Sequence, residues 1–389
     1  MTRLSVYHFH NGHEGGVFNV IKNLLLFTQD TEIENHLIQT INKDITPKHP
    51  LVKVRGAVTH QVFYYSPRWN FYYTCRQLAK LLPGDKALIV AHDWLELGMA
   101  SNLGLQNPVV QIVHGNYDYY YDLARKHEAV VDAYICISNK IFSSLQAKLS
   151  SGKADIFYLN FPVPEIKAVR KVNDVLHLIY YAGNLKDVNK QFVTIVEIAR
   201  ELSSTPADYF FTIAGGGMTA QQFFETWPVA MKERVNFKGL QTNQEIISLL
   251  GDQDIFLLPS LNEGLPVSLV EAMKAGVVPL ITNWAGSADE LLTDAVTGYY
   301  FKTGAAFDYA NCIRNLLHNR QLLNQLSSNS ILKANTLFNA TANTKRFEDL
   351  FKKVAAKKAV IKKPIKIYGS RLDHPLIPNF ITSSIRSKK

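Results

Sequence analysis

Two glutamates, Glu263 and Glu271, stand eight positions apart and follow an apolar run, Asp254–Leu258, that predicts a buried strand. Open α/β sheets bind ligands at the carboxyl edge of their parallel strands. Glu263 is therefore expected at that edge, in the turn before a helix, and Glu271 on the helix behind it, reaching toward the same crevice. Carboxylates in these places can accept hydrogen bonds from the hydroxyl groups of a ligand.

The segment between the glutamates predicts the start of that helix. Gly264 and Leu265 precede it, and Pro266 is tolerated in a first turn because its N–H is not needed there. The helix is expected to end near Ala275-Gly276, where glycine closes helices. Free backbone N–H groups at the helix start favour an anion such as a diphosphate. A helix start for phosphate beside carboxylates for hydroxyls predicts a nucleotide-sugar site.

The segment resembles the E-x7-E motif of retaining glycosyltransferases of the GT-B fold, in particular family four. The resemblance extends over about sixty residues that keep the family's order and spacing: Val235–Leu240, Ile246–Leu250, Gly276–Pro279, Glu290 and Thr297-Gly298. It implies an enzyme of the hexosyltransferase type that uses a nucleotide-diphosphate sugar. It also implies two Rossmann-like, doubly wound domains that face each other across a deep cleft.

The resemblance implies roles for both glutamates. Glu271 is expected to bind the ribose hydroxyls of the nucleotide. Glu263 is expected to hold hydroxyls of the transferred sugar, together with the backbone N–H groups of Gly264 and Leu265. Ser268, in the first helical turn, is expected near phosphate and ribose. The alternative is that the two glutamates are an ordinary helix cap and a helix-surface acid.

Cations for the diphosphate are expected after the first strand of the same domain. Family members carry an Arg and a Lys there, in a pattern like G-R-L-x3-K-G, whereas this chain reads Gly183–Gln191 with Asn184 at the Arg position. Lys190 comes one residue later than the usual Lys and is the predicted cation, with Lys186 as the other choice. A solvated helix-start lysine is the alternative for Lys190.

Two further positions complete the expected donor site. Leu240 matches a position whose backbone meets the nucleotide base, and Gly215 lies in a glycine-rich bend that lines the donor cleft or is only a tight turn. The pair Asp252 and Asp254 precedes its strand, so it lies at the wrong edge to hold a metal on the diphosphate. No metal and no other cofactor is therefore expected.

The first half of the chain offers a second set of candidates. Gly15-Gly16 opens a predicted helix and allows close approach of a phosphate or sugar. His114 follows the predicted strand Val109–Val113, and the resemblance implies that its imidazole contacts the sugar. His92-Asp93-Trp94 ends the preceding strand and either binds acceptor or caps a helix. Four tyrosines form an acceptor wall or pack at a helix start: Tyr117, Tyr119, Tyr120 and Tyr121.

His8, His10, His13 and Glu14 could suggest a metal site near the first strand. His8 and His10 share one face of that strand, whereas His13 lies in the loop after it. Packing at the strand edge or in an acceptor loop is the favoured interpretation.

Length and composition fit two domains in a cytoplasmic protein. The chain has 389 residues and is 47% hydrophobic, and its three cysteines are too few and too scattered for a disulfide framework. No apolar run is long enough for a membrane helix, and the start is too polar for a signal peptide. The expected domains are 1–165, for the acceptor, and 174–355, for the nucleotide sugar. Residues from about 360 to 389 are expected to pack back on the first.

The positive charge is concentrated in the C-terminal tail. From Phe351 onward there are 11 of the 42 basic residues and one of the 33 acidic residues, so the net charge of +9 belongs to the tail. Lysine doublets in this tail could hold the protein peripherally at the anionic inner face of a membrane. A solvated helix end is the alternative. Nucleic acid is not an expected partner, because the rest of the chain has no basic excess.

The leading hypothesis is a retaining glycosyltransferase of polysaccharide or lipopolysaccharide biosynthesis. It would move a sugar from a UDP- or GDP-linked donor to a hydroxyl of a cell-surface glycan or lipid-linked acceptor, and the leaving diphosphate would accept the proton. His114, Glu263 and Lys190 would carry the reaction. The alternative is a non-catalytic GT-B-like subunit of a glycosyltransferase complex, since Asn184 replaces a cation. A nucleotide-sugar epimerase is a third hypothesis.

Overall fold

A computed structural model describes residues 3–387, apart from residues 13–14, 46–53, 85, 150–151, 153, 167–174, 207, 285–287, 358–360 and 368. The chain divides into two compact units. The first is Met1–Pro162 together with Ala340–Lys389, and the second is Val163–Asn339.

The sheet of the first unit consists of parallel strands in the order β3-β2-β1-β4-β5-β6-β7. The strands are β1 (Leu4–His10), β2 (Ile33–Asn42), β3 (Thr59–Tyr65), β4 (Leu88–Ala91), β5 (Val109–Val113), β6 (Ala133–Cys136) and β7 (Asp155–Tyr158). Central strands such as β4, with the sequence Leu-Ile-Val-Ala, are apolar throughout because helices cover both faces of a parallel sheet.

Helices follow the strands of this sheet in turn. They are α1 (Gly16–Phe27), α2 (Phe71–Ala79), α3 (Trp94–Leu103), α4 (Asp118–His127) and α5 (Asn139–Lys148). Helix α3 begins with a capping box in which Asp93 and Glu96 satisfy the free N–H groups of the first turn. It ends at Gly104, whose φ of 58° is the left-handed conformation that closes helices.

The second unit repeats the plan with the strand order β10-β9-β8-β11-β12-β13. Its strands are β8 (Leu176–Asn184), β9 (Tyr209–Gly216), β10 (Val235–Gly239), β11 (Ile255–Leu258), β12 (Val278–Thr282) and β13 (Tyr299–Phe301). Its helices are α6 (Phe192–Leu202), α7 (Ala220–Thr226), α8 (Asn243–Leu250), α9 (Val267–Lys274), α10 (Ala288–Leu291), α11 (Ala306–His318) and α12 (Arg320–Leu337).

The helix with the second glutamate begins one residue later than predicted. Pro266 is the residue before α9 and has an extended backbone (ψ 119°), so it does not belong to the first turn. The end agrees with the prediction, because Gly276 adopts a φ of 78° directly after the C-cap residue Ala275. Glu271 thus lies in the second turn of a short helix.

Helix α13 (Ala340–Ala355) belongs to the first unit, whereas the sequence assigned residues up to 355 to the second domain. The reason is its buried face. The rings of Phe351 and His8 pack edge to face, with 6.0 Å between their centroids. The Glu348 carboxylate accepts a hydrogen bond from the backbone N–H of Gln29 at 2.9 Å. Packing against β1 and α1 therefore decides the unit to which this helix belongs.

The chain after α13 packs on the first unit and ends in helix α14 (Asn379–Ser387). The buried ammonium of Lys362 pairs with Asp132 at 2.6 Å and donates to the carbonyl of Asn107 at 2.7 Å. Ile365 N–H donates to the carbonyl of Ser101 at 2.7 Å. Within the described residues, no helix combines the length and apolar character needed to cross a bilayer.

Candidate functional site

The second unit has a topological switch point between β8 and β11. These strands are neighbours in the sheet although β9 and β10 lie between them in the chain. The helices on the two sides of such a point leave a crevice at the carboxyl edge, where open α/β sheets bind ligands. Asn184 ends β8, and the segment that holds Glu263 follows β11.

Lys190 and Glu263 meet at this crevice. Lys190 Nζ lies 2.7 Å from Glu263 Oε1, and their side chains are 30% and 12% exposed. The Tyr180 hydroxyl donates to the backbone carbonyl of Lys190 at 3.0 Å and so fixes the backbone at this residue. The structure therefore brings together two of the three predicted catalytic residues, a cation and a carboxylate that are partly open to solvent.

The loops that carry this pair are fixed to each other. The Asn189 side chain donates to the carbonyl of Asn262 at 2.9 Å and accepts its N–H at 3.0 Å. The N–H of Leu261 donates to the Asn189 carbonyl at 2.9 Å. Three hydrogen bonds thus set the distance between the loop after β8 and the loop after β11.

Glu271 is buried rather than on a helix surface. It is 5% exposed, and its Oε1 accepts a hydrogen bond from Asn243 Nδ2 at 3.0 Å. The hydroxyl of Tyr181 donates to the backbone carbonyl of Ser268 at 3.0 Å, one turn before Glu271. Burying a carboxylate costs free energy unless the group is paired or hydrogen-bonded. Glu271 is buried and hydrogen-bonded to Asn243, so it is not an ordinary acid on a helix surface.

The glycine-rich bend after β9 packs against the end of β8. A side chain at Gly215 would approach Leu185 to 2.6 Å, so the packing of this bend requires a glycine here. Gly217, with a φ of 85°, leaves room for the Asn184 amide. Gly183 faces open space, so a ligand can approach its backbone.

Asn184 is used within its own turn. Its Oδ1 accepts the N–H of Lys186 at 3.0 Å. Lys186 itself is exposed. Among the described contacts, its ammonium group does not pair with a carboxylate as that of Lys190 does with Glu263. Leu240, which follows the left-handed Gly239, is 44% exposed at the same edge of the sheet.

The first unit has a corresponding switch point between β1 and β4. A pocket of about 260 Å³ lies there. The residues that line it come from the ends of both strands and from the starts of α1 and α4: His10, Asn11, Gly15, Gly16, Val17, Phe18, His92, Asp93, Tyr119 and Tyr120. A side chain at Gly15 would meet nothing within 4 Å, so its backbone is open to a ligand.

His114 lies beside this pocket and bonds to His92, with 2.9 Å between His114 Nε2 and His92 Nδ1. Burial lowers the pKa of His114 to about 3. Burial, reinforced by His114 and His8, holds the pKa of His92 well below its usual range. Both imidazoles are therefore neutral near pH 7, so neither can stabilise the negative charge of a ligand as a cation.

The hydrogen bond between the two rings also indicates which nitrogen carries the proton. His92 Nε2 is buried without a partner among the described residues. Buried donors without acceptors are rarer than buried acceptors without donors, so His92 Nδ1–H donates to His114 Nε2. His114 then carries its own proton on Nδ1. It is suited to donate a hydrogen bond to an oxygen atom of a ligand.

The turn with His92 is held by the capping box of α3. Glu96 Oε1 accepts the N–H groups of His92 and Asp93 at 2.7 and 2.6 Å. Burial, with Asp93 nearby, raises the pKa of Glu96 to about 7. Asp93 accepts hydrogen bonds from Asn11 and from the hydroxyl of Tyr119. Structural capping therefore accounts for Asp93, the middle residue of the candidate segment 92–94.

The four tyrosines after His114 were interpreted either as an acceptor wall or as packing at a helix start, and they differ in their exposure. Tyr120 and Tyr121 are buried, whereas Tyr117 and Tyr119 are about half exposed. The described residues hold no group of three or more His, Cys, Asp or Glu side chains that could bind a metal ion. His13 and Glu14 lie outside the described residues.

Sequence reasoning missed three residues that support these sites. Asn243, Asn189 and Glu96 hold Glu271, the loop after β11 and the turn after β4, respectively. Glu96 had a recognisable signal, because an acid three residues after Asp93 forms a capping box. The two asparagines had none, since each acts on a residue more than twenty positions away.

A family model matches the second unit of this chain, and curated relatives match segments of the chain. Residues 163–333 match the family of glycosyl transferases group 1. A 91-residue segment is 35% identical to an N,N'-diacetylbacillosaminyl-diphospho-undecaprenol alpha-1,3-N-acetylgalactosaminyltransferase of Campylobacter jejuni and covers 23% of this chain and 24% of that protein. A 146-residue segment is 31% identical to the amylovoran biosynthesis glycosyltransferase AmsK of Erwinia amylovora and covers 35% of each chain. The chain thus matches about a quarter to a third of the length of these relatives.

Solved structures resemble both units. HepE of Anabaena, in complex with UDP and glucose, has a TM-score of 0.72 at 15% identity, covering 90% of this chain and all of HepE. TarM of S. aureus, in a complex that includes UDP, has a TM-score of 0.64 at 16% identity, covering 72% of this chain and 58% of TarM. These likenesses confirm the predicted GT-B fold with two Rossmann-like domains. Together with the family match, they confirm the predicted resemblance to glycosyltransferases of this fold.

Proposed function

We propose that this chain, a GT-B protein whose residues 163–333 match the glycosyl transferases group 1 family, transfers a sugar from a nucleotide diphosphate to a hydroxyl acceptor. The observation that carries the proposal is the contact of Lys190 with Glu263 at the switch point of the second unit, with buried Glu271 on the helix that follows. This arrangement combines a cation, two carboxylates and a helix N-terminus.

Each group has a use in binding the donor. Lys190 and the N–H groups at the start of α9 would stabilise the negative charge of the leaving diphosphate without a metal. Glu271, held by Asn243, would accept hydrogen bonds from the ribose hydroxyls. Glu263 would hold hydroxyls of the sugar. Its contact with Lys190 keeps both groups in place before the donor binds.

The proposed reaction retains the anomeric configuration. The leaving diphosphate would accept the proton of the acceptor hydroxyl on the face of the sugar from which it departs. His114, neutral and with its proton on Nδ1, would donate a hydrogen bond to an oxygen of the sugar. An inverted product would reject this mechanism and leave the binding roles untouched.

The proposed acceptor is a lipid-linked glycan. This rests on the name of the Campylobacter jejuni relative, which acts on a diphospho-undecaprenol-linked sugar. UDP is the first donor nucleotide to test, because HepE and TarM are in complexes that include UDP.

A non-catalytic subunit is the competing proposal, and Asn184 favours it. The family's cationic position holds an uncharged amide that bonds to its own turn. A charge-assisted hydrogen bond is about twice as strong as a neutral one, so the site has one strong contact to the diphosphate fewer.

The test is calorimetric binding of UDP, GDP and ADP, with and without Mg²⁺, followed by a transfer assay with the UDP- or GDP-sugars. Glu271→Ala and Lys190→Ala should each weaken binding of the preferred nucleotide about tenfold or more, because each removes a hydrogen bond to a charged group worth ~1.5–3 kcal/mol. Lys186→Ala is the matched control and should bind as the wild type does. Binding without transfer to any acceptor would favour the non-catalytic subunit, and no binding of any nucleotide would reject the transferase and also favour the non-catalytic subunit.

A further inference from the structure

The polar side chains of α14 attach this helix to the first unit. Asn379 Oδ1 accepts the backbone N–H of Asn70 at 2.8 Å. The buried Thr382 hydroxyl donates to a backbone carbonyl ten residues earlier at 3.0 Å. Arg386 pairs with the buried carboxylate of Asp373 at 2.6 Å. The inward face of the helix is therefore polar and firmly bonded.

The outward face of α14 is apolar. Phe380, Ile381 and Ile385 are 72%, 40% and 44% exposed, and their spacing places them on one side of the helix. Leu376, just before the helix, is 84% exposed. A surface helix of a globular protein normally buries its apolar side and exposes its polar side, and α14 does the reverse. An exposed apolar cluster of this kind indicates contact with something outside the chain.

The chain segment that carries this face is rich in cations. Residues 361–389 contain seven Lys and Arg against one acid, Asp373. Lys363, Lys366 and Arg371 are exposed, and the chain ends with two lysines that lie outside the described residues. The segment that carries the apolar face therefore has an excess of positive charge, which is complementary to an anionic surface.

The lysine doublets, which the sequence suggested as the membrane contact, form ion pairs with acidic residues of the first unit. Lys352 pairs with Asp30 at 2.6 Å, and Lys357 pairs with Asp155 at 2.7 Å. Lys362 is buried against Asp132. One lysine of each doublet thus holds the tail on the first unit, so neutralising all of them would disturb the fold as well as any membrane contact.

We propose that the outer face of α14, with Leu376, docks on the surface of an anionic lipid bilayer. The apolar side chains would enter the boundary between headgroups and acyl chains, and the cations would face the phosphates. A second copy of this chain is the competing occupant. Four exposed apolar side chains offer far less than the roughly 800 Å² that each partner of a stable complex buries.

This inference deepens the proposed function, because it brings the protein to the place where a lipid-linked acceptor lies. Its link to the acceptor rests on that function, but docking itself requires neither a nucleotide nor a sugar. The two proposals can therefore fail separately.

The test is co-sedimentation of the full chain with vesicles of phosphatidylglycerol and phosphatidylethanolamine, with pure phosphatidylcholine vesicles for comparison. The double variant Phe380→Ser/Ile385→Ser should bind the anionic vesicles about tenfold or more weakly than the wild type, because it removes two inserting side chains. The matched control is Val229→Ser/Phe307→Ser, which changes two exposed apolar residues of the second unit and should leave binding unchanged. UDP binding should be the same in all three proteins.

Equal vesicle binding by the wild type and the α14 variant would overturn the proposal. It would also be overturned if the wild type does not bind anionic vesicles, and a wild type that sediments as a dimer while the α14 variant is a monomer would identify the second copy as the occupant. Vesicle binding that depends on α14 in a protein without sugar transfer would keep the docking surface and reject the proposed function.

Discussion

The histidines at the carboxyl edge of the first sheet show how burial sets the chemistry of a residue. His114 was predicted as a contact to the sugar, and the structure adds that it is neutral and bonded to His92. The sequence could place His114 after its strand, since Val109–Val113 was predicted correctly. It could not show the ring contact, because the partner comes from another strand.

The same burial predicts a dependence of stability on pH. The pKa values of His8 and His114 are lowered by burial from 6.5 to about 4 and about 3. Between these values and 6.5 the unfolded chain binds more protons at these histidines than the folded one, so their contribution to the free energy of unfolding should fall as the pH falls below about 6.5. Glu96, whose pKa burial raises to about 7, contributes in the opposite direction. The slope is at most ~1.4 kcal/mol per pH unit for each histidine.

Urea unfolding of the first unit at pH 6.5 and pH 5 would measure this slope. His8→Asn should have a smaller difference between the two pH values than the wild type, whatever its absolute stability. His318→Asn changes an exposed histidine of the second unit and should keep the wild-type difference. An unchanged slope in His8→Asn would show that His8 does not titrate as its burial requires.

At the scale of elements, the sequence predicts the strands and helices whose buried faces are aliphatic. It does not predict short edge strands or helices whose buried faces are aromatic and polar. The sequence predicts helices over 192–202, 243–250 and 320–337 and a strand over 278–282, and the bounds of α6, α8, α12 and β12 agree with these predictions. A helix start at the tyrosines after His114 was only one of two interpretations, because the buried face of α4 consists largely of aromatic and polar side chains. Strands β7 and β13 were missed because they are short, half-buried strands at the edges of their sheets.

The assignment of α13 shows a different limit of the sequence. Its helical period was clear, but a buried face does not say which core it covers. Contacts with residues more than three hundred positions earlier decide this, and Glu348 with Gln29 is one example. The contact between Lys190 and Glu263 was easier to predict, because both residues follow strands of a single sheet.

The C-terminal tail depends on one buried lysine, which gives a prediction for this element. Lys362→Ala should lower the free energy of unfolding by about 2 kcal/mol, because it leaves the Asp132 carboxylate without its cation. It should also speed tryptic cleavage after Lys366. Lys363→Ala alters the exposed neighbour and should change neither the stability nor cleavage at Lys366. Equal stability of the two variants would show that the ion pair does not hold the tail.

At the scale of the molecule, the chain passes between the units twice, after Pro162 and after Asn339. Lys274, the last residue of α9, is buried, and its Nζ donates to the carbonyls of Val163 at 2.6 Å and Phe338 at 3.0 Å. The helix that carries Glu271 thus holds both crossing segments.

Lys274→Met tests whether this connection matters for sugar transfer. The variant keeps the length of the side chain but leaves two carbonyls without their donor, so the crossings lose their common anchor. We expect UDP binding within about threefold of the wild type, since Glu271 and Lys190 are untouched. The kcat of the proposed transfer should fall about tenfold or more, because conformational steps limit the turnover of many enzymes. Lys333→Met, which removes a lysine whose Nζ donates only to the Thr293 hydroxyl among the described contacts, should keep kcat. A Lys274→Met protein with normal kcat would show that the anchor serves stability alone, and one that loses UDP binding would show that it instead positions the donor helix.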